Sequence, residues 1–214
     1  MGVCGQGRFL DSRASARAAS RALEPPYSRS RDCPVPNSNP LAFDPIAQAR
    51  RHWELRGWTA AAPTMAVVTS VMRVQQILLG RADGALRPHG LTFARYEVLM
   101  LLSFSRRGEL PLGKIGARLQ VNPASVTNAV DRLEAQGLVE RVPNPRDGRG
   151  TLARLTDAGR DRALAATESL NAELFGDLGI DDEEQARLFE LLRDVRRAAG
   201  DFVSSAASTD AEDR

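Results

Sequence analysis

VNPASVTNAVDRLEAQGLVERVPNPRDGRGTLARL, residues 121–155, opens with Asn122 followed by Pro123. An Asn before a Pro is a helix-start signal: the amide oxygen accepts from an unpaired N–H of the first turn, and the proline ring already holds the helical φ. Val126, Ala129, Val130 and Leu133 then recur on one helical face. Gly137 is placed to stop the helix in a left-handed cap. Leu138 to Val142 reads as a short strand, Pro143 to Gly148 as a turn-rich segment, and Thr151 to Leu155 alternates as a returning strand. Asp147-Gly148 is a strong turn dipeptide.

Immediately upstream, Leu112, Ile115 and Leu119 mark a short helix of about two turns. A short helix, a tight turn and a capped helix form a helix-turn-helix, and the hairpin that follows is a wing. With the apolar stripe of the second helix turned inward, Ser125, Asn128 and Arg132 share the opposite side, flanked by Thr127 and Asp131. Pro123 and Ala124 begin the helix at the end that favours a phosphate. A helix entering the major groove reads base edges with its N-terminal residues. Asn pairs bidentately with adenine, Ser and Thr bond several edges, and the Thr methyl can touch a thymine methyl. Arg132, farther along, is suited to a phosphate. Arg146, Asp147, Gly148 and Arg149 form the wing tip, whose guanidinium groups suit the enhanced negative potential of a narrow minor groove. Lys114, Arg118 and Arg154 are candidates for backbone contacts.

Outside this unit the pattern is helical. Asp44-Pro45 signals a start, with Ile46, Ala49, Trp53 and Arg56 on one face and Gly57 as its end. Pro63-Thr64 starts a long helix with Met65, Val68, Met72, Ile77 and Leu79, ending near Pro88. It is too apolar to be an exposed rod, so it requires a partner, either the domain or a second subunit. Thr92 is expected to cap a helix carrying Phe93, Tyr96, Leu99, Met100, Leu102 and Phe104. Thr156 opens another, with Ala163, Leu164 and Leu170 available for packing. A last helix follows Asp181-Asp182 and carries Leu188, Leu191, Leu192 and Val195. The expected class is mainly α with a small β-wing: a winged helix-turn-helix whose terminal helices form a dimerisation lobe.

Hydrophobic residues make up 43% of the chain and charged residues 26%, a globular balance. The net charge of +2 hides an asymmetry. Residues 106–154 hold nine Lys or Arg against five acids, whereas 155–214 hold seven Arg against fifteen acids. A basic body masked by an acidic end points to a polyanion partner on the basic side. Residues 1–43, rich in Arg, Ser, Pro and Asn, are expected to be a disordered extension; a start codon placed too far upstream reads the same way. Residues 204–214 are expected to be a disordered tail. No apolar run is long enough to cross a bilayer, and the expected location is cytoplasmic.

Enzyme classes find little support. Ser103 and Ser125 lack a nucleophile elbow, and no Gly-rich phosphate loop is present. The acidic run Asp181 to Glu184 is explained by a helix N-terminus. No cofactor is expected. His52 and His89 have no carboxylate or cysteine at metal spacing, so no metal site is expected either. Cys4 and Cys33 are too few for a disulfide framework. A winged helix that binds protein remains the competing class. It differs in salt response, since a duplex binder loses affinity steeply as salt rises.

Residues 62–160 closely resemble the MarR family of winged-helix regulators. The resemblance is carried by Gly90-Leu91-Thr92 ahead of Tyr96, Ile115-Gly116-Ala117-Arg118-Leu119 and Ser125-Val126-Thr127-Asn128. It continues through Val130-Asp131-Arg132-Leu133-Glu134, Gly137-Leu138-Val139, Arg146-Asp147-Gly148-Arg149 and Leu155-Thr156-Asp157-Ala158-Gly159-Arg160. It implies a regulator spanning 44–203, with 44–91 and 156–203 as dimerisation helices and 92–155 as the DNA-binding lobe. It further implies a homodimer on double-stranded DNA, with one recognition helix per subunit in successive major grooves of a pseudo-palindrome, usually acting as a ligand-released repressor. The ligand, often aromatic or anionic, would lie between the lobes, where Trp53, Arg73, Gln76, His89 and Tyr96 are the candidates. Three departures stand out. Asn128 replaces a common Arg, Gly148 replaces a common Arg at the wing, and Pro111-Leu112-Gly113 replaces a polar helix cap. The family's thiol sensors carry a cysteine at the dimer helix, which this chain lacks, so thiol sensing is not expected.

Overall fold

The computed structural model describes residues 40–145 and 150–203. The extension expected over 1–43 (apart from its last four residues), both cysteines, the wing tip Arg146, Asp147, Gly148 and Arg149, and the tail 204–214 lie outside the described residues.

Asp44 caps the first helix, α1 (Pro45–Leu55): its Oδ1 accepts from the N–H groups of Ile46 at 2.8 Å and Ala47 at 3.2 Å. Gly57, at φ +84°, turns the chain, and Trp53 meets Trp58 edge to face with centroids 5.2 Å apart. The long α2 (Ala62–Leu86) follows, with Pro63 in its first turn, and passes through a 3₁₀ turn, Arg87–His89, to Gly90 at φ +68°. Next come α3 (Phe93–Phe104), β1 (Glu109–Pro111), α4 (Leu112–Leu119) and α5 (Pro123–Ala135). They lead to β2 (Val139–Pro143), β3 (Thr151–Leu155) and α6 (Asp157–Leu170), which runs on into a π-helical turn, Asn171–Phe175. The last helix, α7 (Asp182–Ala198), begins with a capping box in which Asp181 and Glu184 satisfy each other's backbone N–H.

The core gathers one face of nearly every element. Leu86 of α2, Leu99 and Leu102 of α3, Ile115 of α4, Leu133 of α5 and Leu170 of α6 are fully buried. The strands form a three-stranded antiparallel sheet in the order β1-β3-β2. Its middle strand brings Arg154 opposite both Glu109 and Glu140. The N–H of Asn144 donates to the carbonyl of Gly150 at 2.9 Å, closing the base of the hairpin.

Three expectations need correcting. The sheet has a third strand: Glu109–Pro111 is too short to show an alternating pattern and pairs only because β3 lies beside it. Thr92 precedes α3 but does not cap it with its side chain. The first-turn N–H of Phe93 is satisfied from another helix, by Asp83 Oδ1 at 2.7 Å, and Thr92 Oγ1 accepts from Arg95 Nε instead. Leu164 is exposed within one chain, whereas Ala163, Ala166 and Leu170 carry the packing of α6. In α2, Val68, Met72 and Leu79 are likewise exposed and the buried residues are Ala62, Ala82, Ala85 and Leu86. Among the described residues, the apolar row of this helix is left uncovered.

Gly159 sets how closely α6 approaches the sheet. A Cβ there would lie 2.0 Å from the carbonyl oxygen of Leu138 and 2.8 Å from Leu155 Cδ1, and a backbone oxygen cannot swing aside. Gly159→Ala is therefore expected to lower unfolding stability by about 3 kcal/mol, the upper range for overpacking a core, as measured by urea titration. A loss below about 0.5 kcal/mol, the range of neutral surface changes, would contradict the close contact.

Candidate nucleic-acid interface

The helix pair α4 and α5 crosses tightly because Gly116 leaves room. A Cβ on it would sit 3.2 Å from the Val121 carbonyl oxygen and 3.3 Å from Val126 Cγ2. Gln120 takes the left-handed conformation, φ +53°, to turn the chain between them. Asn122 then caps α5 as expected, its Oδ1 accepting from the Ser125 N–H at 2.8 Å. Val126, Val130 and Leu133 are buried, with Ala129 partly so. This stripe turns Pro123, Ala124, Ser125, Thr127, Asn128 and Arg132 to the surface, and all six are exposed. Thr127 donates its hydroxyl to the Pro123 carbonyl at 3.0 Å, which leaves both lone pairs of its oxygen able to accept. Among the described residues, the side chains of Ser125, Asn128 and Arg132 make no hydrogen bond or ion pair, so their polar groups are available to a ligand.

Lys114 and Arg118 are exposed on α4. Arg154 is committed within the sheet: Nε lies 3.0 Å from Glu109 Oε2 and one terminal nitrogen 3.3 Å from Glu140 Oε1. The hydrogen bond to Glu109, and more weakly that to Glu140, holds its guanidinium above the ordinary arginine range. Arg154 therefore stiffens the wing base, and its charge is already offset by two carboxylates. At the α5 flank, Arg141 of β2 bridges Asp131 and Glu134. Burial alone would lower its guanidinium, yet hydrogen bonds to Asp131 and Glu134 hold it above the usual value. Sequence reading missed this clamp and the Glu109–Arg154–Glu140 bridge: the first depends on how β2 turns back along α5, and the second joins β3 to a strand far upstream.

The five effector candidates are not assembled into one site. Tyr96 is buried, and its hydroxyl lies 3.0 Å from Thr167 Oγ1. His89 Nε2 lies 2.8 Å from Ser169 Oγ, and the His89 carbonyl accepts from Arg162 at 2.6 Å. These two face α6. Trp53 packs against Trp58, while Arg73 and Gln76 are exposed along the middle of α2. A groove of about 440 Å³ lies elsewhere, between α4 and α5, lined by Leu112, Gly116, Gln120, Val121, Asn122 and Thr127 among others. No residue of the effector set lines it.

The chain is similar to known transcriptional regulators. The sequence profile of the MarR family matches residues 89–150. Sco5413, a MarR family transcriptional regulator from Streptomyces coelicolor, is 57% identical; the match covers 65% of this chain and 97% of that one, with a TM-score of 0.61. Sco3205 from the same organism, a MarR family regulator solved in complex with DNA, is 26% identical over 66% of this chain and 91% of its own, with a TM-score of 0.56. CouR from Rhodococcus jostii RHA1, solved bound to p-coumaroyl-CoA, is 29% identical over 64% of this chain and 95% of its own, also with a TM-score of 0.56. The match to Sco5413 spans nearly that whole protein at high identity, and the family profile falls on the helix-turn-helix and wing. This chain belongs to the MarR family of winged helix-turn-helix, DNA-binding transcriptional regulators.

Proposed function

We propose that the protein acts as a homodimer that reads a pseudo-palindromic duplex operator and represses transcription until a small aromatic or anionic effector releases it. The observation that carries the DNA reading is the outer face of α5. Short polar side chains, Ser125, Thr127 and Asn128, stand unburied directly above a capped helix N-terminus, the end that enters a major groove. Lys114, Arg118 and Arg132 border that face as backbone contacts. The wing tip, Arg146 to Arg149, serves as a minor-groove anchor. Arg154 is left out of the contact set because Glu109 and Glu140 already hold it.

The dimer reading rests on apolar surface. Val67, Val68, Val71 and Val74 of α2 and Leu188, Leu191, Leu192 and Val195 of α7 are all exposed in one chain. A face of this kind on helices at both ends of the chain is the mark of a subunit interface. The lobes therefore divide as 44–91 and 156–203 for dimerisation and 92–155 for DNA. The effector reading leans on CouR, a relative solved bound to p-coumaroyl-CoA, and on the joint between α2, α3 and α6. His89 and Tyr96 are the members of the effector set that lie at that joint. Among the described residues no helix is long and apolar enough to cross a membrane, and we place the protein in the cytoplasm with the DNA it binds.

Asn128→Ala should weaken binding to a duplex selected by the wild type by about 1–3 kcal/mol and flatten discrimination at one base pair of each half-site. Fluorescence anisotropy on single-base variants measures both. Unchanged affinity and preference would show that α5 does not read bases through this face. Leu191→Asp, which sets a charge on the uncovered surface of α7, should shift the protein from dimer to monomer in sedimentation velocity. A sedimentation coefficient equal to that of the wild-type dimer would contradict the assigned interface.

A further inference from the structure

The flank of α5 carries two acids that a DNA-binding surface would be expected to avoid. Asp131 lies one turn beyond Asn128 and Thr127 and next to Arg132, and Glu134 lies one turn further on. Both are exposed, with side chains 57% and 41% accessible. They stand in the last two turns of α5, where the helix dipole already places negative potential. Left alone, they would repel a phosphate backbone laid along the helix.

Arg141 meets both. It alternates on β2 with Glu140, so Glu140 turns toward Arg154 while Arg141 turns to the α5 side, the side of buried Val139. One terminal nitrogen lies 2.6 Å from Asp131 Oδ1, the other bonds Glu134 Oε2, and the Arg141 backbone N–H donates to Glu134 Oε1 at 3.2 Å. The Arg141 side chain is only 25% accessible, less than either acid it holds. Its planar fork spans both carboxylates, which a lysine's point charge cannot do.

We propose that Arg141 is a positioning residue for DNA recognition: it masks Asp131 and Glu134 from the DNA backbone and pins the flank of the recognition helix to the base of the wing. The inference rests on the DNA-reading role of α5 proposed above. It assigns Arg141 to protein contacts, unlike Lys114, Arg118 and Arg132, which are assigned to the phosphates.

The test uses the full-length protein and a duplex selected by the wild type, with anisotropy as the readout. Arg141→Gln leaves two unmasked acids and should weaken binding roughly ten- to a hundredfold at low salt, with the loss shrinking as salt screens the repulsion. The triple variant Arg141→Gln, Asp131→Asn, Glu134→Gln removes the acids along with their mask and should bind within about threefold of the wild type, one to two decades of Kd being the recoverable range. The same two charges removed elsewhere, Arg141→Gln with Asp182→Asn and Glu183→Gln on α7, should give no rescue. If Arg141→Gln alone does not fold, the triple variant is compared directly with the wild type. Equal binding by Arg141→Gln and the wild type would overturn the inference, as would a triple variant no tighter than Arg141→Gln, or rescue by the α7 charges. In each case the DNA reading would stand. A wild type that enriches no duplex would overturn that reading and the inference with it.

Discussion

The burial of Val126, Val130 and Leu133 under α3 and α4 is the constraint on which the site depends. A helix has one periodicity, so fixing which stripe faces the core fixes what the opposite stripe offers. The core holds α5 by its apolar side, Asn122 holds its first turn, and Gly116 lets α4 cross close behind it. What remains outward is a short row of hydroxyl and amide groups at a helix N-terminus. Those groups make few demands on the fold.

Around that helix, charge is arranged more carefully than the net value suggests. Two arginines of the hairpin, one on each face of the sheet, are each bound to two carboxylates. Arg154 ties β1, β3 and β2 together, and Arg141 ties β2 to α5. Exposed ion pairs of this kind add little to stability. Their stronger effect is on geometry: they relate the wing base to the recognition helix and decide which charges a polyanion would meet. A count of basic residues over 106–154 therefore overstates the free positive charge.

Much of this was legible in the sequence, and for identifiable reasons. Asn122-Pro123, Thr156 and Asp181 act through neighbours three residues away at most, so the helix starts they mark are local facts. Thr151 to Leu155 was legible as a returning strand, although Leu152 and Ala153, which point to opposite faces of β3, are both buried. The helix over 44–55 and the stop at Gly137 follow equally local rules. What stayed hidden is non-local. β1 exists only beside β3, Asp83 caps α3 from another helix, and the partners of Arg141 and Arg154 come together only when sheet and helix pack. The effector set was gathered by resemblance rather than by contact, and the chain places Tyr96 and His89 against α6 without Trp53, Arg73 or Gln76. The apolar rows of α2 and α7 were visible as hydrophobic periodicity. Periodicity alone does not say what covers them, because a helix face turned to a second subunit would have the same pattern as one turned to its own core.

The most direct test of the central claim is selection of random duplex DNA by the full-length protein, with the enriched sequences re-bound across a salt series. The account predicts a pseudo-palindrome whose half-sites lie about one helical turn apart, bound with an affinity that falls steeply as salt rises. No enrichment, or an asymmetric site bound by one subunit, would contradict it.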